Sequence, residues 1–420
     1  MLDPSPQRTF ALEVVQKLRA AGFEALWAGG CVRDQLLGLA PKDYDVATNA
    51  KPDEIRTVFG HKRTLAIGAA FGVITVLGRR HEGQIEVATF RTDAEYSDGR
   101  HPDSVHFTTA EHDAQRRDFT INGLFFDPVT DEVVDYVNGR DDLARKLIRA
   151  IGDPRLRLSE DKLRLLRAVR FAATFHFTIE PGTLAAIQAM AAEVTTVSAE
   201  RIGVEIRRML VGPNRAVALD LLRETNLLAH VLPEVAQLDA AAWAKTRRML
   251  AALREPTLAV ALAVLLVQVD DSRASGTVGR RLRYTNREIE RTNWLLAHLP
   301  TIVNAPQTPW PRLQRVLVHS GAAELVALHE AIAGPGPDDP SLAFVRERLA
   351  WPAERLNPPP LIDGSDLIQH GLAPSPDFAR LLEAVRDAQL RGEIKTTHDA
   401  MTLVQRILAG DVEGGLDARS

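Results

Sequence analysis

Residues 26–48 read LWAGGCVRDQLLGLAPKDYDVAT, with a Gly-Gly pair thirteen residues ahead of two aspartates that alternate with apolar residues. On a β-strand, successive side chains point to opposite faces. Asp43 and Asp45 therefore share one face, while Tyr44 and Val46 share the other. Two adjacent carboxylates repel each other unless a cation lies between them. Mg2+ is the economical cation, because it takes carboxylate oxygens together with phosphate oxygens. Gly29 and Gly30 let backbone N–H groups approach a phosphate closely, and Arg33 follows within one helical turn. An isolated Gly-Gly is usually a turn, and an isolated Asp-x-Asp is usually a solvated edge. In this order, flanked by Leu26, Trp27 and Val46, the two halves point to phosphoryl chemistry on a nucleotide.

The stretch resembles the signature of the nucleotidyltransferase superfamily that includes DNA polymerase β. Its extended form, GGCVRDQLLG followed by KDYDVAT, resembles the bacterial-type (class II) CCA-adding tRNA nucleotidyltransferase and poly(A) polymerase branch. The fold implied is α+β. It has a polymerase-β-like head, a small mixed sheet with helices, followed by an all-α neck, body and tail.

The residue pattern agrees with that outline. The first ~145 residues mix helix and strand signals. Residues 10–21 carry helical periodicity and stop at Gly22. Short strands are expected at 26–28 and 44–47, and a hairpin at 72–77 and 85–90. A further strand pair is expected at 122–126 and 132–137. After Asp142 the chain reads as helix after helix, punctuated by Pro and Gly. The expected division is a catalytic head at 1–142, a helical neck at 143–215 and a helical body and tail at 216–420.

Composition narrows the partners. The 420 residues are 45% hydrophobic and 25% charged, ordinary for a globular protein. The net charge of −4 means that any nucleic-acid surface must be local. One such stripe exists: residues 139–171 hold ten Lys or Arg against five Asp or Glu. The lone cysteine, Cys31, agrees with a reducing cytoplasm and reads as a small buried filler. The N-terminus lacks the basic start and apolar run of a signal peptide. The longest apolar run, 258–267, is too short to span a bilayer and reads as a buried helix. No membrane or stable protein partner is expected.

Three further segments carry chemistry. Glu86 lies between Ile85 and Val87, so it faces away from their apolar side. If its strand lies beside Tyr44–Val46, it becomes a third acid next to Asp43 and Asp45. The string Arg116-Arg117-Asp118-Phe119-Thr120-Ile121-Asn122 sets arginines and an acid at the mouth of a strand. Arginine forks onto phosphate, and a carboxylate accepts from a ribose hydroxyl. The string resembles the family's second motif, with Gly123 where Ala is usual. Finally, Ser159 is expected to cap a helix that has Glu160 and Asp161 in its first turn. Asp161 and Arg164 then become neighbours on one face, followed by Arg167 and Arg170, with Leu163, Leu166 and Val169 on the apolar side. Alone, this is a surface salt bridge of little energetic weight. It also resembles the family's E-D-x-x-R motif, in which the pair serves as a protein template for the incoming base. An Asp accepts from the exocyclic amine of cytosine or adenine, and an Arg donates to the adjacent ring nitrogen. Uracil and guanine reverse that pattern.

The resemblance extends further at lower specificity. Tyr96, Asp98, Gly99, Arg100, His101, Pro102, Val105 and Phe107 match a family loop linked to nucleotide choice. Asp135 to Gly139 with Asp142 resembles a hinge motif. Glu200 to Glu205 and Leu232-Pro233-Glu234 resemble elements of the neck and body. His398-Asp399 reads as incidental. The implied activity is template-independent addition of CCA to the 3′ acceptor end of tRNA from CTP and ATP. Asp43 and Asp45, joined by Glu86, hold Mg2+. Gly29, Gly30, Arg33 and Arg117 bind the triphosphate, Asp118 the ribose, and Asp161 with Arg164 the base. Arg167 and Arg170 support them. A poly(A) polymerase, and an enzyme adding only A or only CC, remain open alternatives on the sequence.

Overall fold

A computed structural model describes residues 5–93, 105–334 and 339–410. Most of the family loop read at 96–105 lies outside these residues. Helix α1 (Pro6–Ala20) starts where the Ser5 hydroxyl accepts from the Arg8 N–H, with Pro6 fitting the first turn. Its buried stripe includes Phe10, Val14 and Leu18, and the chain leaves it through Gly22 at φ 88°.

A seven-stranded mixed sheet follows. Its strands are β1 (Ala25–Ala28), β2 (Asp45–Thr48), β3 (Thr64–Leu65), β4 (Val73–Leu77), β5 (Gln84–Thr89), β8 (Phe125–Asp127) and β9 (Glu132–Val134), arranged β3-β4-β5-β2-β1-β8-β9. A separate small hairpin pairs β6 (Arg91–Asp93) with β7 (Val105–Phe107). Helix α2 (Gly30–Leu36) connects β1 towards β2, and α3 (Pro52–Phe59) lies on the crossover from β2 to β4. Strand β1 is buried at all four positions, as a central strand must be when both faces are covered. The expected β4–β5 hairpin is present as an antiparallel pair.

Register sets the two faces. Trp27 pairs with Val46 and with Phe126, so these three share a face with Tyr44, whose ring meets Trp27 edge-on at 4.9 Å. Helix α1 lies on this side, with Arg8 over the Trp27 ring. On the opposite face Leu26, Ala28, Ala47 and Phe125 form a core with Phe90 and with Ala110 and Ala114 of α4 (Ala110–Gln115). By alternation Asp45 belongs to this second face. Asn122, expected in a strand, instead ends a short 3-10 turn, Thr120–Asn122. The strand starts later, at Phe125.

Beyond the sheet the described chain is almost all helix: α5 (Gly139–Ala144), α6 (Pro154–Glu160), α7 (Leu163–Phe175), α8 (Pro181–Met190), α9 (Ala199–Val211) and α10 (Arg215–Glu224), followed by further helices. The exception is a two-residue parallel pair, β10 (Leu147–Ile148) with β11 (Thr178–Ile179). The chain divides into two compact units, Met1–Ala251 with Val269–Thr285, and Ala252–Gln268 with Asn286–Ser420. The boundaries expected after residues 142 and 215 both fall inside the first. In the second unit the apolar helix Leu258–Leu266 is buried at every position. There Asp399 belongs to a capping box with Thr396, which accounts for the His398-Asp399 pair structurally. Among the described residues no single helix is long and apolar enough to cross a membrane.

Gly139 shows how tightly the head closes on itself. It opens α5 directly against the 3-10 turn, and a Cβ there would overlap the Thr120 carbonyl oxygen and stand 2.9 Å from Leu124 Cδ2. Gly139→Ala is expected to destabilise the protein by about 1–3 kcal/mol, read as a lower urea midpoint.

Candidate active site

The strand that carries the acids behaves as its alternation requires. Tyr44 and Val46 are buried, while Asp43 is exposed and Asp45 keeps part of its surface open to solvent at the rim of the cleft. Strand β2 pairs in parallel with β5, and the register sets Asp45 directly beside Glu86. The condition attached to Glu86 in the sequence is therefore met. Extending the β1–β2 register by one step brings Asp45 opposite Ala28, next to the glycine turn. The Asp45 carboxyl is pushed up to about 6, first by desolvation in its recess and then by the charge of Glu86. Arg117 opposes the shift and Asp43 adds to it. Like charges crowded this way favour a bound cation.

Asp45 stands at one end of a cleft of ≈500 Å³. Ten of the twelve residues singled out in the sequence line it: Gly29, Gly30, Arg33, Asp45, Arg117, Asp118, Asp161, Arg164, Arg167 and Arg170. Asp43 and Glu86 do not line it, though the charges of both reach Asp45. The lining holds seven arginines against three aspartates, which makes it a receptor for a polyanion.

The arginines are held by carboxylates in the walls. Buried Asp113 takes Arg116 at 2.8 Å and Arg117 at 2.9 Å. Burial alone would raise the Asp113 pKa, but the two guanidiniums hold it below the usual carboxylate range. Arg33 pairs with Asp34 and donates to Asn122 Oδ1 at 2.6 Å. Asn122 donates in turn to Asp118 Oδ1 at 3.0 Å. Asp118 Oδ2 receives Nε and Nη2 of Arg167 at 2.8 and 2.6 Å, and Oδ1 also accepts from the Phe119 N–H. Against the upward push of burial, the Arg167 charge and the bonds from Asn122 and Arg167 lower Asp118 to about 2.

The glycine turn is shaped by this lattice. Gly29 has φ 70°, and a Cβ on it would stand 2.8 Å from Arg117 Nη1. A side chain there would have to displace that guanidinium, and the left-handed backbone would strain any residue but glycine. Cys31 beside it is buried, with its thiol pushed up to about 12 chiefly by desolvation, which makes it an inert filler.

The E-D-x-x-R segment differs from its expected form. It straddles a break between helices. Helix α6 is capped by Asp153, not Ser159, and ends at Glu160. Ser159 donates back to the Leu156 carbonyl instead. Asp161 is extended, at φ −142° and ψ 103°, and α7 begins at Leu163. The Asp161 carboxylate causes this break: Oδ1 accepts from the Leu163 N–H, and Oδ2 is drawn to Arg201 of α9 at 2.7 Å. Arg164 accordingly pairs with Glu160 rather than Asp161, and it also donates to the carbonyls of Arg157 and Arg116. Both side chains still line the cleft. Arg164 keeps one Nη2–H and its Nε–H, and Asp161 keeps acceptor positions on both oxygens.

Arg116, read with Arg117 in the sequence as a phosphate-binding pair, also lines the cleft, as do Asn122, Leu163, Phe171 and Arg201, to which sequence reading assigns no site role. Asn122 sits inside a recognised string and was accessible to a closer reading. Arg201 reaches Asp161 from forty residues away in the chain, and no local spacing signals that contact. Among the described residues no three His, Cys, Asp or Glu side chains form a ready-made cation cage. The donor set fits a hard divalent ion that completes its shell with substrate oxygens, as Mg2+ does.

A mixed sheet with paired strand carboxylates, opening onto an arginine-lined cleft, defines a polymerase-β-like nucleotidyltransferase head. Comparison with known proteins is specific. Residues 25–149 match the family model for the poly A polymerase head domain, and residues 176–238 match the probable RNA and SrmB-binding site of polymerase A. The CCA-adding enzyme of Geobacillus stearothermophilus is 34% identical over 393 residues, 92% of this chain and 93% of that one. The CCA-adding enzyme of Limosilactobacillus fermentum is 44% identical over 221 residues, 54% of its own length. The crystal structure of the Bacillus stearothermophilus CCA-adding enzyme in complex with CTP superposes with a TM-score of 0.79 at 30% identity, covering 98% of this chain and 99% of that one. The chain belongs to the CCA-adding enzyme family.

The Asp118–Arg167 pair makes a measurable contribution to stability. A carboxyl lowered from 3.8 to about 2 stabilises the fold by about 2 kcal/mol above pH 4, and that contribution is lost as pH falls through 2. The stability difference between wild type and Asp118→Asn, from denaturant unfolding, is expected to shrink steadily between pH 5 and pH 2.

Proposed function

We propose that this chain adds CCA to the 3′ end of tRNA from CTP and ATP by template-independent nucleotidyl transfer. The observation that carries the reading is that one cleft joins Asp45, with Glu86 beside it, to Asp161 and Arg164. A metal-binding edge and a base-reading edge thus face one polyanion receptor. The near-full-length relatives at 34% identity support the same activity.

Residues 1–142 serve as catalytic head, 143–215 as neck carrying the base-reading segment, and 216–420 as body and tail for tRNA. Enzymes of this family generally use a divalent metal. Asp43 and Asp45 would hold Mg2+, with Glu86 setting the local charge. When bound, the ion supplies charge neutralisation and a Lewis-acid contact for the reacting oxygens. The chain's own groups position the rest. Arg33, Arg117 and the Gly29–Gly30 turn receive the triphosphate, and Arg167 and Arg170 add positive charge. Asp118 takes the ribose by exchanging one of its present partners. Asp161 accepts from the amine of cytosine or adenine, and the spare Arg164 N–H donors meet the adjacent ring nitrogen. Uracil and guanine would leave both groups unpaired. The RNA 3′-hydroxyl then attacks the α-phosphorus in line, releasing pyrophosphate.

The test offers purified protein tRNA ending before CCA, tRNA ending in CC, and an unrelated RNA, with each NTP singly and mixed. Extension is expected to stop at CCA. Long adenylate tails on the unrelated RNA would instead identify a poly(A) polymerase. Asp43→Ala/Asp45→Ala is expected to lower transfer at least about a thousandfold while leaving tRNA affinity, measured by filter binding, within about threefold. Persistent transfer would refute the metal-site assignment.

A further inference from the structure

Three arginines of the cleft converge on Phe171, a residue with no part in the proposed reaction. Phe171, 6% exposed, lines the cleft on α7. The guanidinium carbons of Arg33 and Arg167 both lie 5.2 Å from its ring centroid, and that of Arg170 lies at 4.0 Å; Arg33 also lies 4.5 Å from the centroid of the neighbouring Phe175 ring, so the two rings share it. Each cation also pairs with its own carboxylate: Asp34, Asp118 and Glu205 respectively. The ring is fixed in turn. Phe119 meets it edge-on at 5.9 Å and 80°, and Phe175 stacks on it at 6.2 Å.

Three like charges around a single point repel one another, and burial strengthens that repulsion. Desolvation holds the Arg170 guanidinium below the usual arginine range. Glu205 opposes that shift, and the Arg167 charge reinforces it. An aromatic face, electron-rich over its centre, attracts all three cations towards one point. Leucine has comparable bulk but offers no such face.

We infer that Phe171 is a positioning residue for the triphosphate, because its ring gathers Arg33, Arg167 and Arg170 into a cluster ready before the anion arrives. The inference rests on reading the cleft as a nucleoside-triphosphate site. It gives Phe171 no contact with the base, so it predicts equal effects on CTP and ATP.

The test replaces Phe171 in the full-length protein by mono-, di- and trifluorinated phenylalanine, which keep shape while draining charge from the ring face. Binding of CTP and ATP with Mg2+ is measured by calorimetry. Kd is expected to rise with each fluorine, reaching about tenfold, in parallel for both nucleotides, with Tm little changed. Phe171→Tyr is expected to bind like wild type, and Phe171→Leu to bind at least as weakly as the trifluoro form. A Kd that stays flat across the series, in protein that binds both nucleotides, overturns the inference alone. Wild type that binds neither CTP nor ATP overturns the nucleotide-site reading, and the inference with it.

Discussion

Seven guanidinium groups are brought to one cleft, and six carboxylates keep them there: Asp34, Asp113, Asp118, Glu160, Asp161 and Glu205. Without those partners the cations would not tolerate such proximity in a partly dry site. The pairing links the sheet side to the helices. Asp113 lies on α4, Asp118 before the 3-10 turn, Glu160 and Asp161 at the α6–α7 break, and Glu205 on α9. One arrangement thus stabilises the fold of the first unit and stores positive charge for an incoming polyphosphate. Under the proposed function, the cost of desolvating these arginines is met during folding, before any polyphosphate binds.

The glycines in this region record how closely these parts approach. Gly29 leaves room for Arg117. Gly123 departs from the alanine usual in the family, and a Cβ there would stand 2.7 Å from Val137 Cγ2 and 3.2 Å from Ile151 Cδ1. An alanine here would press on both side chains behind the site.

Legibility in the sequence followed the range of the interactions. Period-two alternation exposed Asp43 and Asp45, and the hairpin pattern gave β4 and β5. The parallel pairing of β2 with β5 depends on a crossover through α3 and β3, and no local spacing encodes it. The E-D-x-x-R segment shows the opposite error. Helical spacing was sound arithmetic for a continuous helix, but Asp161 is drawn out of helical geometry by Arg201, which comes from a helix forty residues on. The cleft residues were mostly legible by type. Their partners were not, because an arginine's choice among Glu160, Asp161 and Asp118 is made by tertiary packing.

The break at residues 161–162 has a consequence for discrimination by size. Asp161 is anchored to α9, whereas Arg164 is anchored to α6 and to the backbone at Arg116. The two halves of the proposed base-reading edge therefore belong to separately braced segments, and the spacing between them is set by how those segments seat against each other. A one-ring base and a two-ring base ask for different gaps. In this architecture the aperture can be retuned from the buttresses, without altering either of the groups that face the substrate.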